Sequence, residues 1–121
     1  MDTDKQLYKL FVAAPAELYA LLAIPATSDL RARAETFKEL ETAADLVVEP
    51  AHEKEAARLI EFHGYRDKEF VPKVMVRCGL YRLKHPHRPV RCHIIYLDRE
   101  FESAAVDDGG LFQPDVKYLH G

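Results

Sequence analysis

Glu61 and His63 lie two residues apart at the end of an apolar run, LIEFHGYRD (59–67). If 59–63 is a strand, side chains two positions apart share a face, so the carboxylate and the imidazole point the same way. Such a pair can hold a cation, orient a water or exchange a proton. A second acid comes from upstream. The run ADLVV (44–48) is joined to the apolar run by a polar loop short enough for an antiparallel hairpin. A hairpin symmetric about residue 53 pairs positions whose numbers sum to 106. Asp45 then lies opposite Glu61 and Ala43 opposite His63, while Val47 pairs with Leu59 toward the core. Carboxylates directly opposed on a sheet are destabilising at Cβ separations of roughly 4.5–5.5 Å. A shared proton or a divalent cation would offset the repulsion. Two carboxylates plus water suit Mg²⁺ or Mn²⁺, which would keep waters and take phosphate oxygens. The plainer alternative is two solvated acids at strand ends in a shifted register, with His63 an ordinary half-buried histidine.

The elements that must position these residues follow from periodicity. Residues 3–23 read as helical, with Leu7, Phe11, Ala14, Leu18, Leu21 and Leu22 at spacings of three and four. Pro15 kinks that helix or opens a second one. IPATSD (24–29) is a break, and RARAETFKEL (31–40) reads as a strand. Then come strand 44–48, a loop over 49–56, and strand 56–62. Asp67 is placed to cap a helix from near Lys68, with Pro72 in its first turns. Val74, Met75 and Cys78 lie on one side of this helix, and Val76, Leu80 and Leu83 on another, a width that suits packing on a sheet. HPHRP (85–89) ends it. VRCHIIYLD (90–98) is a strand, with Val90, Cys92, Ile94 and Tyr96 alternating against Arg91, His93, Ile95 and Leu97. DDGG (107–110) is a turn, and the last eleven residues carry no clear pattern. The expected architecture is a single α/β domain over 1–121, ordered α-β-β-β-α-β, with a mixed sheet of about four strands.

Charge is segregated along the chain. Eight Lys or Arg and two acids fall between Arg66 and Arg91, a net +6 within a protein of net charge −3. Either this is a solvated helix face or a surface for an anionic polymer. Lys68, Lys73, Arg77 and Arg82 are the candidate phosphate contacts. Cys78 and Cys92 are the only cysteines, and nothing else points to secretion, so a reducing compartment is expected, with both thiols facing the core. MDTDKQ has no basic and apolar leader pattern, and no run approaches ~18 apolar residues. Neither a signal peptide nor a membrane partner is expected. Cys78, His85, His87, Cys92 and His93 fit no zinc spacing.

The same residues resemble a known pattern. D…E-x-[K/Q] on a β-hairpin followed at once by a helix is the motif of the PD-(D/E)XK nuclease superfamily. YKLFVAAPAELYALLA (8–23), ETFKELETAADLVV (35–48), IEFHGYRDKEFVPKVMVRCGLYRL (60–83) and VRCHIIYLD (90–98) resemble, in order, stretches of its recombination-promoting nuclease (Rpn)/transposase-like branch. The resemblance spans roughly residues 7–98, leaving 99–121 as a C-terminal extension. It implies a restriction-endonuclease-like core and a metal-dependent DNA endonuclease using Mg²⁺ or Mn²⁺, of bacterial or phage-like, mobile-element origin and cytoplasmic. Asp45, Glu61 and the backbone carbonyl of Phe62 would be the metal ligands, and a metal-activated water would attack the phosphodiester. His63 stands where the motif has Lys or Gln. Glu17 is the one nearby candidate for the acid that some members carry on the first helix. DNA is the implied partner, and a second copy of the chain is a candidate one. His63 and the early end of the match also leave open a minimal or catalytically inactive nucleic-acid-binding or regulatory form.

Overall fold

Five strands hydrogen-bond in chain order, β1 (Leu30–Phe37), β2 (Thr42–Pro50), β3 (Ala57–His63), β4 (Val90–Tyr96) and β5 (Asp115–Tyr118). The structure, a computed structural model, describes residues 3–37, 42–103 and 108–120, with side chains over 6–34, 46–103 and 108–120. Helices α1 (Thr3–Ala13) and α2 (Pro15–Leu21) precede the sheet, and α3 (Phe70–Lys84) joins β3 to β4. β1–β2 and β2–β3 are antiparallel, and β3–β4 and β4–β5 are parallel. The chain is thus α/β with a mixed sheet between two helical layers, as expected, but with five strands where about four were anticipated.

Parity along the strands assigns the two faces. Leu46, Val48, Ile60, Phe62 and Ile95 pack with Phe11, Leu18 and Tyr19 of α1 and α2, and the rings of Phe11 and Phe62 stack 5.8 Å apart. Val47, Leu59, Cys92, Ile94 and Tyr96 pack with Phe70, Val74 and Tyr81 of α3. Because β3 and β4 are covered on both faces, their sequences are nearly continuous apolar runs, the pattern of buried parallel strands. The hairpin register pairs Leu46 with Ile60, Val47 with Leu59 and Val48 with Arg58, so the expected sum of 106 holds along all three pairs.

Of the two expected roles of Pro15, it takes the second and opens α2. Several other boundaries and faces differ from expectation. α3 starts at Phe70 because the Asp67 carboxylate accepts from the Glu69 N–H, forming a turn ahead of the helix. Pro72 is then its third residue, where a missing N–H breaks no helical bond. Only one stripe of α3 is buried, Phe70, Val74, Arg77 and Tyr81, while Val76 and Leu83 face outward at 41% and 77% exposure. β5 arises in the tail that carried no pattern. Its four residues read Asp-Val-Lys-Tyr and are mostly exposed, so backbone pairing along β4 rather than side-chain burial places them. The two cysteines are also corrected: Cys78 of α3 and Cys92 of β4 are joined in a disulfide, with Cα atoms 6.8 Å apart. The ground for expecting a reducing compartment therefore falls away. Among the described residues no helix is long and apolar enough to cross a membrane.

Candidate functional site

Glu61 and His63 emerge from β3 on the face covered by α3, as the period of two requires. Glu61 is 1% exposed. Its carboxylate is gripped by a guanidinium from the overlying helix: Arg77 Nε donates to Oε2 at 3.1 Å and Nη2 to Oε1 at 3.4 Å. Arg77 sits in the apolar stripe of α3, seven residues after Phe70 and four before Tyr81, so helical spacing alone turns it toward the sheet. A two-point contact between a planar fork and a carboxylate is the geometry in which arginine binds most strongly. Breaking such a buried pair by removing one partner costs about 3–5 kcal/mol, because the other charge is left in a poorly solvated place.

His63 is 2% exposed and lies among aromatic rings. The Phe70 ring, from the first turn of α3, stacks on the imidazole at 3.7 Å between centroids, with Tyr65 at 4.5 Å and Tyr96 edge-on at 5.9 Å. Its backbone carbonyl accepts from the Leu97 N–H, which continues the β3–β4 pairing. Asp45 belongs to β2, one residue beyond the Leu46–Ile60 pair at which the β2–β3 pairing ends, and the β1–β2 register shifts between the Arg33–Val47 and Glu35–Ala44 pairs, so the expected Asp45–Glu61 pair is not among the pairs formed. The Asp45 side chain lies outside the described residues. Glu17 is exposed in the first turn of α2, in the helical layer on the opposite side of the sheet from Glu61, so it does not join the site.

The basic segment divides under the same scrutiny. Arg77 points inward to Glu61 and is not a surface contact. Lys73 is half exposed but bonded to Asp67 at 3.1 Å. The Glu69 N–H and Lys73 together hold the Asp67 carboxyl below its usual range. Arg88 donates to the Pro50 carbonyl at 2.6 Å, tying the end of α3 to the β2 turn. Arg66, Lys68, Arg82, Lys84 and Arg91 remain on the surface.

A second polar line on this face escaped the sequence reading. Tyr81 Oη donates to Glu49 Oε2 at 2.5 Å, and Arg33 Nε donates to Glu49 Oε1 at 3.1 Å. Burial raises the Glu49 carboxyl, but the hydrogen bonds from Arg33 and Tyr81 outweigh it and leave the group below its usual value. Burial, and then the bond to Glu49, push the Tyr81 hydroxyl well above its ordinary value. The only sequence signal for this line is the place of Tyr81 on the stripe that also carries Arg77.

The donor chemistry bears on the implied metal. Among the described residues no three His, Cys, Asp or Glu side chains are grouped to hold a metal ion. The one described carboxylate of the motif, Glu61, already has both oxygens on a cation. As they stand, the described residues do not fit Mg²⁺ or Mn²⁺.

A family model described as "Protein of unknown function (DUF2887)" matches residues 3–113. The chain belongs to this family. The DUF2887 match runs from the start of α1 through β4 and stops just short of β5, so it takes in Asp45, Glu61, His63 and Arg77 together. No curated protein and no solved structure matches the chain.

Proposed function

We propose that this DUF2887 member is a nucleic-acid-binding domain on the PD-(D/E)XK nuclease pattern, with its acid site closed by an arginine, so that it binds without cutting. The observation that carries the reading is the two-point Arg77–Glu61 pair around a carboxylate that is 1% exposed. The guanidinium supplies the positive charge that a divalent cation would otherwise bring, and fixes Glu61 under α3. The exposed cations Arg66, Lys68, Arg82 and Arg91 are the phosphate contacts of this reading. The test is fluorescence anisotropy on a labelled DNA duplex in EDTA, beside plasmid nicking with Mg²⁺ or Mn²⁺. The expected result is binding that persists in EDTA and weakens as salt rises, with no nicking. Metal-dependent nicking that disappears in both Asp45→Ala and Glu61→Ala overturns this reading.

That overturning result is what the second reading expects, an active Mg²⁺- or Mn²⁺-dependent DNA endonuclease. The register favours it, since three consecutive β2–β3 pairs keep the sum of 106 up to Leu46–Ile60, the pair next to the one this reading needs. In it Asp45, Glu61 and the Phe62 carbonyl are ligands and His63 takes the place of the motif's Lys or Gln. If neither nicking nor salt-sensitive DNA binding is found, both readings fail in favour of an interaction protein without nucleic-acid affinity.

A further inference from the structure

The three parallel strands end level with one another. His63 closes β3, Tyr96 closes β4 and Tyr118 closes β5, and they are register partners, His63 with Tyr96 and Tyr96 with Tyr118. Register partners share a face, so the carboxyl edge of the sheet carries a row of rings. Tyr96 stacks on Tyr118 at 5.8 Å, and the Arg99 guanidinium lies 3.8 Å over the Tyr118 ring. At its other end the row comes to the surface. Tyr65, in the loop from β3 to α3, is 60% exposed, yet its ring is held in place. Its centroid is 4.5 Å from that of His63, while the Phe70 centroid is 3.7 Å from it. At those distances both rings lie over faces of the imidazole, and two rings cannot share one face. Phe70 therefore backs His63 on one side and Tyr65 covers the other, with its outer face to solvent. The carboxyl ends of the strands are also where open α/β sheets take ligands.

A flat ring already fixed at the surface can stack on another ring without first being ordered, which removes much of the usual cost of immobilising a side chain. The charges beside Tyr65 indicate which kind of ring. Arg66 and Lys68 are exposed. Asp67 and Glu69 are the acids of the same stretch, and the Lys73 ammonium lies 3.1 Å from one and 4.0 Å from the other. Arg66, Lys68 and Lys73 against Asp67 and Glu69 leave one net positive charge around the ring. The repeat of a polynucleotide is one flat base with one phosphodiester charge, and an aromatic ring flanked by cations holds a single strand through both. In a duplex the base faces are already stacked on each other and out of reach. We propose that Tyr65 is the stacking platform for an unpaired base, with Arg66 and Lys68 on the flanking phosphates, so that the domain takes a single-stranded nucleic acid in preference to duplex. This rests on the nucleic-acid-binding reading above and names its ligand.

The test compares a labelled DNA single strand with the duplex it forms with its complement, by fluorescence anisotropy on the full chain in EDTA. Stacking does not read the sugar, so an RNA strand of the same sequence is titrated beside it to distinguish the two sources of such a ligand. At least one single strand is expected to bind tighter than the duplex, and to move the Tyr65 ring proton resonances upfield as a base stacks on them. Tyr65→Ala should weaken single-strand binding by about tenfold or more, the loss of one base–aromatic stack, and leave duplex binding as it was. Tyr65→Leu keeps an apolar cover on His63 without an aromatic face and should match Tyr65→Ala. Tyr65→Phe should match the wild type. Retained duplex binding shows that each variant is folded. Duplex bound as tightly as both single strands, or single-strand binding unchanged in Tyr65→Ala and Tyr65→Leu, overturns this inference and leaves the proposed function standing. Absence of salt-sensitive binding to every form overturns both.

Discussion

The pairing of Glu61 with Arg77 shows how a motif residue acquires its meaning from one partner. The acid and the imidazole were legible because a period of two on a strand needs no tertiary knowledge. Their surroundings were not, because Arg77 lies sixteen positions away and was read with the other basic residues as surface charge. Its place on the stripe of Phe70, Val74 and Tyr81 was the missed cue. Arg77→Ala strands a buried carboxylate and should cost about 3–5 kcal/mol in urea unfolding. Exchanging both partners for apolar residues of similar size, Glu61→Leu with Arg77→Met, should recover most of that loss. A double variant no more stable than Arg77→Ala would show that the pair is not the source of the cost. His93 supplies a pH signature at the same scale. Burial and the Arg58 cation lower its folded pKa to about 4, below the ordinary imidazole value of 6.5, so between those values the unfolded chain binds the extra proton. Stability is therefore full above pH 6.5 and falls as pH drops toward about 4, by an amount of order 3 kcal/mol. Urea midpoints measured across that window should fall in the wild type and stay nearly level in His93→Gln.

Elements were legible where side chains alternate or recur, and illegible where backbone alone decides. The β2–β3 register could be worked out from loop symmetry because Val47 and Leu59 had to share a face, and a slip of one strand by one residue would have put them on opposite faces. β5 offered no such constraint. Its residues are exposed, and it is held by ladder pairing with β4 and by flanking bonds such as Leu119 N–H to the Tyr96 carbonyl. The cysteines show the same limit, since only the packing of α3 on β4 brings positions fourteen apart together. The end of α2 was visible as a break but not in its geometry. Ala23 adopts φ 57, the left-handed conformation, while the Ile24 N–H bonds to the Tyr19 carbonyl across the helix end. That is the position where helices commonly place glycine, since a Cβ there costs roughly 1–2 kcal/mol. Ala23→Gly should raise the thermal midpoint, with a net gain of about 0.5–1 kcal/mol after the greater freedom of glycine in the unfolded chain is counted. A lowered midpoint would mean that the Ala23 methyl contributes more than its backbone costs.

At the scale of the whole molecule, the net +6 of residues 66–91 is smaller on the surface than it is in the sequence. The fold turns Arg77 inward, ties Arg88 to the β2 turn and joins Lys73 to Asp67. Arg66, Lys68, Arg82, Lys84 and Arg91 stay exposed on an otherwise acidic protein. This limits what DNA binding can look like. Each phosphate neutralised adds about −0.9 to the slope of log affinity against log salt, so three or four contacts give a slope of roughly −3 to −4. Raising salt from about 50 to 200 mM should then weaken binding by about 10²-fold, and binding should be modest at physiological salt. Lys68→Ala and Arg82→Ala should each flatten the slope by about one, whereas the buried Arg77 should leave it unchanged in any variant that stays folded. Anisotropy titrations over a salt series decide the matter. A slope nearer −8 would mean that all the basic residues of the segment reach the phosphates, which the burial of Arg77 forbids, and no slope at all would remove nucleic acid as the partner of this surface.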